Sequence, residues 1–119
     1  MATVAEVRQR VGEDLGLVPI GQDLESQDQL RIDATYTEQY ARLKDRGLAL
    51  WPESGPVPDK LAESFCLLME VKLLVSYSVP ESRYLRITTQ AGPDGQLALA
   101  AIAGEAVEEY ESHDEPTDF

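Results

Sequence analysis

Residues able to do chemistry are scarce in this chain, which holds one histidine and one cysteine among 119 residues. His113 lies in an acidic C-terminal run, which excludes a nucleophile–histidine triad unless another residue type serves as base. Cys66 sits inside Phe65-Cys66-Leu67-Leu68-Met69, where a small buried thiol is expected, and a lone cysteine forms no intrachain disulfide. Carboxylates are abundant, and Asp28, Asp33, Glu105, Glu108 and Glu109 could bind Mg²⁺ or Ca²⁺ weakly. No loop, however, carries the alternating oxygen ligands of a calcium site. The carboxylates follow the overall acidity, and none stands beside an apolar pocket recognisable from sequence. The chain also lacks a phosphate-cradling glycine loop, a metal-spaced Cys/His cluster and a nucleophile elbow. The expectation is a non-enzyme with no cofactor and no metal, acting by binding other proteins.

Charge narrows the partners. Twenty-two acidic residues against ten basic ones give a net charge of -12, which opposes a grip on nucleic acid. Such a surface suits simple solubility, or a conduit past which DNA slides without sticking. An apolar fraction of 43% supports a folded chain, and the length suits one core. The start Met1-Ala2-Thr3-Val4-Ala5-Glu6 lacks the basic and apolar parts of a signal peptide, and no apolar run reaches bilayer-spanning length. A reducing, soluble compartment is therefore expected.

The elements that must position these residues are helical. Thr3 and Glu6 form a capping box ahead of Val4, Val7, Val11 and Leu15, a narrow stripe that should dock through one face, and Gly16 closes the helix. A second box, Ser26 with Gln29, predicts a helix to Arg46 that stops at Gly47. Ile32, Tyr36, Tyr40 and Leu43 lie along its inner face, widened by Leu30, Ala34 and Ala41, and Glu38 pairs with Arg42 outside. The tyrosines suit a core edge or a subunit contact. Three prolines and a glycine between Gly47 and Asp59 predict an ordered loop anchored by Leu48, Leu50 and Trp51.

Pro58 opens a helix predicted to reach about Tyr77, apolar nearly all round from Phe65 to Val75 and relieved only by Glu70 and Lys72. That pattern marks a central helix. Val79-Pro80 breaks it, a further helix restarts at Glu81, and Gly92-Pro93-Asp94-Gly95 predicts a turn or strong kink. A final short helix is expected over 96–107. The predicted fold is thus all-α: a bundle of four to five helices around a central apolar helix over residues 1–107, with an extended acidic arm over 108–119. The arm carries Tyr110 and Phe119 as aromatic anchors among charges that cannot order themselves alone.

In this order the elements resemble a bacteriophage head-to-tail adaptor, a connector or head-completion protein. The resemblance lies in Leu15-Gly16-Leu17, Gly21-Gln22 and the acidic run into the helix with Tyr36, Tyr40 and Leu43. It continues through Gly47-Leu48-Ala49-Leu50-Trp51, Val57-Pro58, Val79-Pro80-Glu81 and the ending Glu115-Pro116-Thr117-Asp118-Phe119. Gly92-Pro93-Asp94-Gly95 departs from it, since such adaptors have a more continuous helix there. The resemblance implies a ring, commonly of twelve copies, under the portal at the head–tail junction of the virion, made in the host cytoplasm. The ring extends the DNA channel, helps retain packaged DNA and receives the next tail or neck protein. It also implies an arm docking onto the portal or a neighbouring subunit, with Tyr110, Glu115, Pro116, Thr117, Asp118 and Phe119 as partner-binding residues. A small acidic regulator that mimics DNA and plugs a basic partner is the alternative.

Overall fold

Backbone hydrogen bonds in helix α1 (Val4–Leu15) begin where the sequence predicts, with Glu6 N donating to Thr3 Oγ1 at 3.1 Å and Thr3 N to the Glu6 carboxylate at 3.0 Å. The computed structural model describes residues 1–114. Over them follow α2 (Ser26–Asp45), α3 (Asp59–Leu73), α4 (Glu81–Ala91) and α5 (Gln96–Asp114), an all-α bundle. Helix α3 packs against each of the other four, as its all-round apolar sequence predicts. It buries Leu61, Phe65, Cys66, Leu68, Met69 and Leu73 among Val7, Val11 and Leu15 of α1, Ile32 and Leu43 of α2, Ile87 of α4 and Ile102 of α5.

The α1 stripe finds its partners inside the chain. Val7, Val11 and Leu15 are fully buried and α1 packs on α2 and α3, so the stripe is not left for another subunit. Arg83 of α4 completes its far end, Nη1 donating to the main-chain oxygens of Glu13 and Asp14, each at 3.1 Å. An isolated antiparallel bridge ties Ala2 to Val57, just ahead of α3.

Helix α2 departs from expectation at its start. Glu25 precedes it without a side-chain cap, and Ser26 is already helical. Gln29 instead donates to the Leu24 main-chain oxygen at 2.9 Å, which removes the reciprocal half of the expected box. Ile32, Tyr36, Tyr40 and Leu43 are buried as predicted, whereas Leu30, Ala34 and Ala41 face solvent. Both tyrosines belong to the core. Tyr40 donates to the Trp51 main-chain oxygen and Tyr36 to that of Glu53, and the two rings with Trp51 and Phe65 form an edge-on aromatic cluster pinning the loop. Leu50 is exposed, so Trp51 is the deep anchor.

Helix α3 ends four residues before the predicted Tyr77. The chain turns at Leu73, where Ser76 N donates to its carbonyl, and Tyr77 is drawn back to α2: its hydroxyl donates to Asp28 at 3.0 Å and its ring lies 5.2 Å beneath the Arg31 guanidinium. The Gly92–Gly95 segment is a complete break, with positive φ at both glycines and α4 and α5 packed against each other. Gly95 is also a close approach, since a Cβ there would stand 2.8 Å from Leu68 Cδ1.

The last helix is longer than predicted. α5 continues from Val107 to Asp114, so 108–114 are helical and not extended. Adding residues to an existing helix avoids the cost of nucleation, and glutamate is a good helix former, so the acidic run extends a helix it could not start. Glu115–Phe119 lie outside the described residues.

Candidate functional site

The predicted partner-binding residues divide at Asp114. The backbone of Tyr110 is part of α5, and Glu115, Pro116, Thr117, Asp118 and Phe119 fall outside the described residues. The backbone of His113 likewise lies in α5. Among the described residues no group of three or more His, Cys, Asp or Glu is arranged to hold a metal ion. Asp28 and Asp33 have separate partners, Tyr77 and Arg8. No helix of the described residues is long and apolar enough to cross a membrane.

The most unusual group is one the sequence reading passed over. Glu70, on the central helix, is 1% exposed. It lies at the junction of α1, α3 and α4, beside a cleft of about 150 Å³ walled by Arg10, Asp14, Glu63, Arg86 and Gln90. Burial strips water from the Glu70 carboxyl, and a hydrogen bond to the Asp14 carboxylate holds its proton; together they push its pKa up to about 10, with Arg10 and Arg86 pulling the other way. Glu70 is therefore neutral at pH 7 and Asp14 takes its hydrogen. Arg10 Nε stands 3.7 Å from Asp14 on the solvent side. The second Glu70 oxygen, Oε2, is buried without a hydrogen-bond partner among the described residues.

Chemically this is a carboxyl that keeps its proton beside a second acidic side chain, flanked by two guanidiniums. It ties helices together and stores a proton. Cys66, one turn earlier on α3, is inert as a nucleophile because burial raises its thiol pKa to about 12. The signal in the sequence was the charge itself, because an acid inside an otherwise apolar central helix must be neutralised or paired.

Two further depressions open on the surface of the described residues. An open one of about 480 Å³ lies over Val4, Arg8, Asp33 and Tyr36, crossed by an Arg8–Asp33 ion pair at 2.9 Å. A smaller cleft of about 80 Å³ opens between α2, α3 and the α4–α5 turn, and it is basic: Arg42, Arg46 and Lys72 line it. Exposed apolar side chains occur on α4 at Tyr84 and Leu85 and on α5 at Leu97 and Val107. Compared with family models, with curated proteins and with solved structures, the chain matches none.

Proposed function

We propose that the protein is a non-catalytic structural subunit of a phage head-to-tail connector, forming a ring under the portal that joins the head to the tail or neck. The ring, of about twelve copies as the resemblance implies, extends the DNA channel, helps retain packaged DNA and receives the next tail or neck protein. The observation that carries the reading is the order of elements. A short capped helix, a tyrosine-bearing helix, an anchored Trp51 loop, a central apolar helix and a proline-started helix follow one another as the resemblance implies.

Two features of the bundle support it. The net charge of -12 suits a channel wall that repels DNA phosphate. Helix α5 carries its acidic run past Ile102, the last core residue among the described residues, and the reading makes the C-terminal segment that follows the docking element.

Electron microscopy and native mass spectrometry of the protein mixed with candidate portal rings test the proposal. Closed symmetric rings seated on the portal are expected. A one-to-one complex with a basic protein, dissolved by moderate salt and formed without any ring, assigns the chain to DNA mimicry instead.

A further inference from the structure

Ten cations are spread over this acidic chain, yet three of them converge on one small cleft. Arg42 lies in the last turn of α2 and Arg46 at its C-terminal cap, and Lys72 faces them from α3. Between them lies Gln39, only 3% exposed, whose amide has one long contact, to Glu38 at 3.3 Å. Lys72 is held in place by donating to the main-chain oxygen of Asp94 at 3.2 Å. Asp94 also lines the cleft, so three cations and one acidic residue meet there. Arg42 reaches Glu38 only at 3.7 Å on the exposed side, and the Arg46 guanidinium has no ion-pair or hydrogen-bond partner among the described residues, its backbone N–H alone donating, to the Leu43 main-chain oxygen. Fork-shaped guanidiniums around a buried amide are suited to carboxylate oxygens.

We propose that this cleft receives the carboxylates of segment 115–119 from a second copy of the chain. The proposal deepens the ring reading and rests on it for the repetition of the contact from subunit to subunit. Glu115 and Asp118 supply two carboxylates within five residues. A nucleic-acid occupant is disfavoured because the rest of the molecule is strongly negative, whereas a short acidic segment is neutralised locally, within the ~8 Å over which charge is felt at physiological salt.

Reach makes the contact intermolecular. Leu99, near the start of α5, lines the cleft, and Asp114 lies fifteen residues further along the same helix, roughly 22 Å away at 1.5 Å per residue. Five residues span at most about 17 Å fully extended, before any allowance for reversing direction. The segment is too short to return to its own cleft and is free to enter another.

Charge exchange between two full-length variants tests this. Arg42→Glu with Arg46→Glu reverses the cleft, and Glu115→Lys with Asp118→Lys reverses the segment; Arg42 and Arg46 are exposed, and circular dichroism checks that the fold is kept. Sedimentation should show wild-type self-association weakened at least about tenfold in each variant alone and restored when the two are mixed, since each reversed cleft then meets a matching segment. Self-association unchanged by either reversal overturns the proposal, as does a wild type that stays monomeric at high micromolar concentration. Binding of a single-stranded DNA oligonucleotide or of inorganic phosphate that is lost with the cleft reversal, while self-association is unaffected, assigns the cleft to phosphate and overturns it too. Portal binding is measured separately, so that a portal ring formed without this contact removes the inference and leaves the ring reading standing.

Discussion

The carboxyl of Glu70 is hydrogen-bonded to the side chain of Asp14, joining α3 to the last turn of α1. Arg10 and Arg86 face the pair from α1 and α4, and Glu63 from α3. The folded pKa of Glu70, about 10, lies above its ordinary value of 4.5, so the native state holds a proton that the unfolded chain releases. This stabilisation is fully present below pH 4.5 and is lost as pH rises towards 10. Thermal melts from pH 5 to pH 9 should therefore show a fall on the order of 10 °C in wild type and a flatter profile in Glu70→Gln. Parallel profiles for the two proteins would contradict a proton held on Glu70.

The indole nitrogen of Trp51 donates to Tyr36 Oη at 3.2 Å, and the same hydroxyl donates to the Glu53 main-chain oxygen at 2.9 Å. Tyr36→Phe leaves a buried donor and a carbonyl without their partner and should cost about 1–3 kcal/mol. Chemical denaturation followed by the emission of this sole tryptophan measures it, with Tyr77→Phe, a less buried hydroxyl, expected to cost less.

Two glycines should respond in opposite directions to alanine. Gly95 has φ of +84° and a Cβ would meet Leu68, so Gly95→Ala should destabilise by about 1–3 kcal/mol. Gly104 lies within α5 with open space around it, and Gly104→Ala should stabilise by about 0.5–1 kcal/mol. Melting temperatures of the pair are the measurement, and the same sign for both would reject the assigned backbone geometry.

Phe65 stands edge-on to Tyr36 and Trp51 at centroid separations of 5.3 and 5.2 Å and is fully buried. Phe65→Ala should cost about 3–5 kcal/mol and Leu68→Ala about 2–5 kcal/mol, read by thermal or urea unfolding. Unaltered midpoints for both would displace α3 from the centre of the fold.

Patterns that act over a few residues were legible in the sequence. The Thr3–Glu6 cap, the break at Gly92–Gly95 and the all-round apolar α3 are local and appear as predicted. What was hidden depends on contacts between distant residues. The end of α3 is decided by Tyr77 turning back to Asp28, 49 residues earlier. The length of α5 was misjudged because acidity was weighed against burial alone, without the low cost of extending a helix already begun. For the candidate sites, the Glu70 environment needed α1 and α4 in place, and the basic cleft joins residues of α2 and α3 that no spacing rule connects.

The two bonds from Arg83 to the carbonyls of Glu13 and Asp14 cross 70 and 69 residues of chain. During synthesis, α1 therefore waits for its closing partner while roughly seventy further residues are added, some 3 to 14 seconds at about 5–20 residues per second. Its apolar stripe is covered by α2 alone until α3 has also emerged. A nascent chain halted before α3 carries an unfinished first helix and an incompletely covered valine face, the state in which a chaperone or a protease would meet it.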